Sequence, residues 1–134
     1  MKLLLLLSLL LCLQQVDSWE IRKGKKTVLK SSTDKKLETI KLSVSDTNAI
    51  CIMYTEAESG IKWKRVFSLK NKNDSLLISF PFQYSNGKFI LPAKNINNLM
   101  EKYGDLTLFT EQHPFSDEMM VRSKMQILAI LSAK

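Results

Sequence analysis

A mainly β fold, either a single antiparallel β-sandwich or a small barrel with one short peripheral helix, is what this sequence predicts. Two observations carry that prediction. Apolar residues recur at every second position through much of the chain after residue 19, the period of strands with one buried and one wet face. Clusters of Ser, Asp, Asn and Gly fall in the gaps between these runs, spaced for roughly six to eight short strands.

Before the strands comes a leader. Met1-Lys2 and the run Leu3 to Leu13, broken only by Ser8 and Cys12, have the form of a secretory signal: one positive charge, then a short leucine core. The run is far shorter than the about 20 residues a membrane span needs. Val16 and Ser18 stand at the −3 and −1 positions that signal peptidase accepts. Residues 1–18 are therefore expected to be a signal peptide and residues 19–134 a single compact domain. Cleavage after Ser18 would leave 116 of the 134 residues, with 19 basic and 12 acidic side chains, a balance still of +7. It would also remove Cys12, leaving Cys51 alone, so no disulfide could form within the mature chain and the hydrophobic core would carry its stability.

Ile40, Leu42 and Val44 alternate with Lys41 and Ser43 as a half-buried strand. Ala49 to Thr55 is apolar on both faces, as expected of a central strand covered on both sides. Ile61, Trp63, Arg65, Phe67 and Leu69 form the inward face of the next strand, with Arg65 the misfit where the strand leaves the core. Leu76 to Tyr84 and Lys88 to Leu91 read as a hairpin about Ser85-Asn86-Gly87, because Asn-Gly takes the positive φ of a type I′ turn. Pro81 puts the first arm at an edge or bulge. Ile96, Leu99, Met100 and Tyr103 recur at helical spacing, and Gly104 stands at the C-cap. Leu106 to Thr110 is a further strand. Residues 118–132 fit either a strand with Val121, Met125, Ile127 and Leu131 partly inward or a helix capped by Ser116. The surrounding β pattern favours the strand.

Catalytic and cofactor chemistry find little support. A cysteine nucleophile would need a base, the one histidine is His113, and the apolar surroundings of Cys51 would raise its thiol pKa. Cys51 reads as a core thiol, with a disulfide-linked dimer as the other use. One histidine and one cysteine cannot build a structural zinc site, and no phosphate or dinucleotide loop is present. The expectation is a non-enzyme without metal or cofactor, with a hydrolase the least favoured reading. Asn73-Asp74-Ser75 is an N-glycosylation sequon in an expected turn.

Charge is the most informative feature. Arg22, Lys23, Lys25 and Lys26 cluster around Gly24, and Lys62, Lys64, Lys70 and Lys72 form a second group. A basic run of this kind suits an anionic extracellular glycan, an anionic membrane surface or an acidic protein partner. Seventeen of the 20 basic residues are Lys rather than Arg, and no aromatic interleaves with the run from Arg22 to Lys36, which argues against nucleic acid. The expected function is a secreted binding protein with Arg22, Lys23, Lys25, Lys26, Lys62 and Lys64 as its basic patch. The alternative is a β-barrel carrier whose cavity for a small apolar ligand would be lined by Ile50, Ile52, Met53 and Trp63.

Overall fold

The computed structural model describes residues 16–43, 45, 47–57, 63–80, 83–84, 88–114 and 124–134. Among these described residues, ten strands and one helix follow in the order β1 (Ser18–Lys23), β2 (Lys26–Ser32), β3 (Thr39–Leu42), β4 (Ile50–Thr55), β5 (Trp63–Lys70), β6 (Leu76–Ser79), β7 (Gln83–Tyr84), β8 (Lys88–Leu91), α1 (Ala93–Tyr103), β9 (Leu106–Pro114) and β10 (Lys124–Ala133). They form two sheets. Sheet A has the order β2-β1-β4-β8, and sheet B the order β3-β10-β9-β5-β6, with β7 also paired to β5. Both sheets end in open edges, so the fold is a sandwich and not a closed barrel. No described helix is long and apolar enough to cross a membrane.

The alternation read from the sequence is what lets the sheets pack. Ile21, Ile50, Ile52 and Tyr54 of sheet A and Phe67, Leu69, Leu108 and Leu131 of sheet B are all buried. Phe67 stacks on Phe89 across the core at 4.9 Å between ring centroids. Ile96 and Met100, one helical turn apart, bury the inner face of α1, which ends where Gly104, at φ 77°, turns its N–H onto Met100 O. The C-terminal segment is a strand from 124 to 133. It is central in sheet B, antiparallel to β9 and parallel to the short β3.

Four details depart from the sequence reading. The segment read as a hairpin is split between sheets: β6 and β7 pair with β5 in sheet B, whereas β8 pairs with β4 in sheet A. Residues 80 to 91 alternate too evenly to reveal that crossing, and the Asn86-Gly87 turn lies outside the described residues, as do Pro81, Lys62, Ser116 and Val121. The hairpin β1–β2 about Gly24 was hidden behind its lysines. Strand β4 is central but covered on one face only, its Cys51 and Met53 side half-buried. On β10 a bulge between Ile127 and Ala129 shifts the phase. Leu128 is thereby buried while Met125 is 53% exposed and Ile127 half-buried.

That bulge has a structural use. An inserted residue falls out of the ladder and leaves a carbonyl unclaimed by the neighbouring strand. Here the Trp19 indole N–H, from the opposite sheet, donates to Leu128 O at 3.1 Å. Trp19 is 5% exposed, so the bond ties the two sheets together inside the core.

Candidate functional site

Strand directions sort the lysines between two ends of the sandwich. Lys23 pairs with Ile50, Leu91 with Ile50, Leu42 with Ala133 and Lys70 with Thr107. The β1–β2 turn, the finish of β5, both ends of α1 and the chain terminus therefore share one end. Exposed Lys25, Lys26, Lys72, Lys94, Lys102 and Lys134 lie there. Gly24, at φ 61°, makes the tight turn that presents Lys25 and Lys26 at the tip, a conformation glycine adopts without steric cost.

The expected patch is only partly assembled. Arg22, Lys23, Lys25 and Lys26 come together on one hairpin, but Lys64 does not join them. It precedes Arg65, which reaches Tyr54, four residues along β4 from the partner of Lys23; that is about 13 Å along the strand. Lys62 lies outside the described residues. Lys70 and Lys72, counted with Lys64 from the sequence, belong instead with the hairpin. Lys70 is engaged by Asp74 at 2.5 Å and lies over the Phe109 ring. Arg22 is also committed internally: its Nε donates to Glu20 Oε1 at 2.8 Å. This bond, with one from Thr27 Oγ1, holds the Glu20 carboxyl below its usual range.

A charged cluster that sequence reasoning did not assemble occupies the other end. Arg65 is only 2% exposed, and its guanidinium lies 3.9 Å from the centroid of the Tyr54 ring. Tyr54 in turn stacks on Trp19. Arg65 Nη2 donates to Glu56 Oε1 and to Gln112 Oε1 (3.0 Å), and Nη1 to Thr110 Oγ1 (3.3 Å). Its Nε has no hydrogen-bond partner among the described residues. The Tyr54 hydroxyl donates to Asp17 Oδ2 at 2.6 Å, and the Ala57 N–H to Asp17 Oδ1 at 3.0 Å. Burial first, and the Asp17 carboxylate second, push the Tyr54 hydroxyl far above the ordinary tyrosine range, so it remains a donor at any physiological pH. Val16, Asp17, Tyr54, Arg65, Gln112 and Met125 bound a cavity of about 130 Å³ here. The misfit of Arg65 on an inward face was the one legible sign of this cluster.

The other sequence-derived candidates are dispersed. Cys51 faces outward from sheet A between Arg22 and Ile90, half-buried, rather than enclosed in the core. His113 lies on sheet B, 3.3 Å from Glu111, and faces away from the same core. Two sheets separate the pair, so they form no nucleophile–base dyad. Among the described residues no three acidic, His or Cys side chains gather as for a metal. Ile50 and Ile52 are packed in the core and Met53 is on the outer face. The space beside Ile50 is about 10 Å³, room for one water at most. Asn73 is exposed in a turn in which its N–H and that of Ser75 both donate to Asn71 Oδ1.

The sequence matches no protein-family model and no curated relative, and the functional reading rests on this geometry.

Proposed function

We propose that this is a secreted, non-enzymatic binding protein whose helix-bearing end engages an anionic extracellular glycan. The observation that carries the reading is the gathering of Lys25, Lys26, Lys72, Lys94 and Lys102, all exposed, at one end of the sandwich. Their side chains come from the β1–β2 turn, the turn after β5 and α1. Asp74, Glu101 and Asp105 also lie at this end, and Asp74 is spent on Lys70, so the balance stays positive. Lysines on separate rigid elements suit a flexible, repeating polyanion that can span several of them, each contact adding modestly to affinity.

Elution from immobilised heparin, against a cation exchanger of matched charge density, tests it. Clearly higher salt on heparin supports organised recognition, and Lys25→Ser with Lys26→Ser should then remove most of the difference without lowering thermal stability. Equal elution from the two resins would refute it. Retention on anionic vesicles or an acidic protein, but not on heparin, would reassign the same face to those partners.

A further inference from the structure

We propose that removal of the leader after Ser18 turns the Asp17 position into a binding site for a short organic carboxylate. The inference goes beyond the basic end and concerns the opposite one.

Asp17 lies within the segment that cleavage would take away, yet in the full chain its carboxylate is held by both oxygens. Oδ2 accepts from the Tyr54 hydroxyl and Oδ1 from the Ala57 N–H, while its backbone carbonyl accepts from the Thr33 N–H at 3.0 Å. Loss of Asp17 leaves two side-chain-facing donors where a planar two-oxygen acceptor has been. Both bonds are part-buried, and a replacement acceptor of the same shape would regain them together.

Charge favours an anion as well. Cleavage removes the Asp17 carboxylate and creates an α-ammonium on Trp19, a local change of two units toward positive. Glu56 balances the Arg65 charge, so the added positive charge is the Trp19 ammonium, while the Arg65 Nε, on a side chain 2% exposed, is a donor without a hydrogen-bond partner among the described residues. The cavity that Val16 and Asp17 line with Tyr54, Arg65, Gln112 and Met125 widens once those two residues are gone. Its apolar contribution comes from the Met125 thioether and the Tyr54 ring. The departing Val16-Asp17 pair is thus a template: a carboxylate with a small apolar body beside it. Both oxygens being used separately favours a carboxylate over a tetrahedral sulfate or phosphate.

The intact mass of the secreted protein comes first; a chain beginning at Trp19 is expected, and one retaining Asp17 overturns the proposal. Two forms, beginning at Trp19 and at Val16, are then titrated with butyrate, with butyramide and with inorganic sulfate, following the Ala57 amide by NMR. The Trp19 form should bind butyrate and neither of the others, and the Val16 form should bind none. Tyr54→Phe in the Trp19 form should weaken butyrate about tenfold or more, the usual effect of losing a hydrogen bond to a charged group. Equal butyrate binding by both forms, sulfate binding as tight as butyrate, or indifference to Tyr54→Phe would refute it. So would a Trp19 form that fails to fold while the Val16 form folds, since Asp17 would then be a structural residue.

Discussion

At the scale of single residues, buried polar groups set this molecule apart from a generic sandwich. Tyr54 is the sharpest case, because its pKa shift links stability to pH. An unfolded tyrosine ionises near pH 10, while burial holds the folded Tyr54 hydroxyl well above that value. The unfolded chain therefore loses its proton first. The stabilisation is fully present below about pH 10 and falls by about 1.4 kcal/mol per pH unit above it. Ultraviolet titration compared with Tyr54→Phe should show the Tyr54 phenol ionising only with loss of structure; a Tyr54 signal that titrates in the folded chain would contradict this. Burial is the larger cause and the Asp17 carboxylate the second, so the effect belongs to the chain that retains Asp17. Arg65 was visible in the sequence as a charge on an apolar face. Its partners were not: Glu56 reads as a turn residue, Asp17 as leader, and Gln112 comes from a strand 47 residues away.

Individual elements were legible where their period was regular and their length sufficient. Helix α1 and strands β5 and β9 follow directly from residue spacing, and β10 from its β surroundings. The sheet switch between β7 and β8 was not, because pairing partners are set by tertiary packing and both segments carry the same alternation. Bulges are equally silent: one inserted residue at Leu128 reverses inside and outside for Met125. Two glycines anchor elements and give a graded prediction. Gly24 has φ 61°, and an added Cβ would lie 3.4 Å from Asn48 Cγ. Gly24→Asn should cost little, since Asn tolerates the left-handed region. Gly104 has φ 77° and ψ −139°, close to a region reserved for glycine, so Gly104→Ala should destabilise by about 1–3 kcal/mol. Denaturant midpoints measure both; an equal, small effect at the two sites would contradict the assignment of strain.

The whole molecule depends on two open-edged sheets and a shared core, and a chain beginning at Trp19 would carry one thiol, Cys51. Thermal unfolding of a chain beginning at Trp19 should be indifferent to reductant, and a midpoint that falls on reduction would reveal an intermolecular disulfide through Cys51. Charge is distributed as unevenly as polarity. One end gathers exposed lysines on three elements, and the other buries a guanidinium over an aromatic ring. Composition alone exposed the first property as a count, but not which lysines share an end. That depends on strand direction, which separates Lys64 from Lys70 within one strand.

Strand β10 carries a consequence for how the chain reaches its folded state. It lies inside sheet B, pairing with β3 on one side and β9 on the other, although those two strands are more than 60 residues apart in the sequence. Until residues 124–133 are made, β3 has no strand partner among the described residues and the Trp19 indole has no Leu128 carbonyl to meet. Sheet B cannot close before residues 124–133 are available, and such non-local pairing is slow to form.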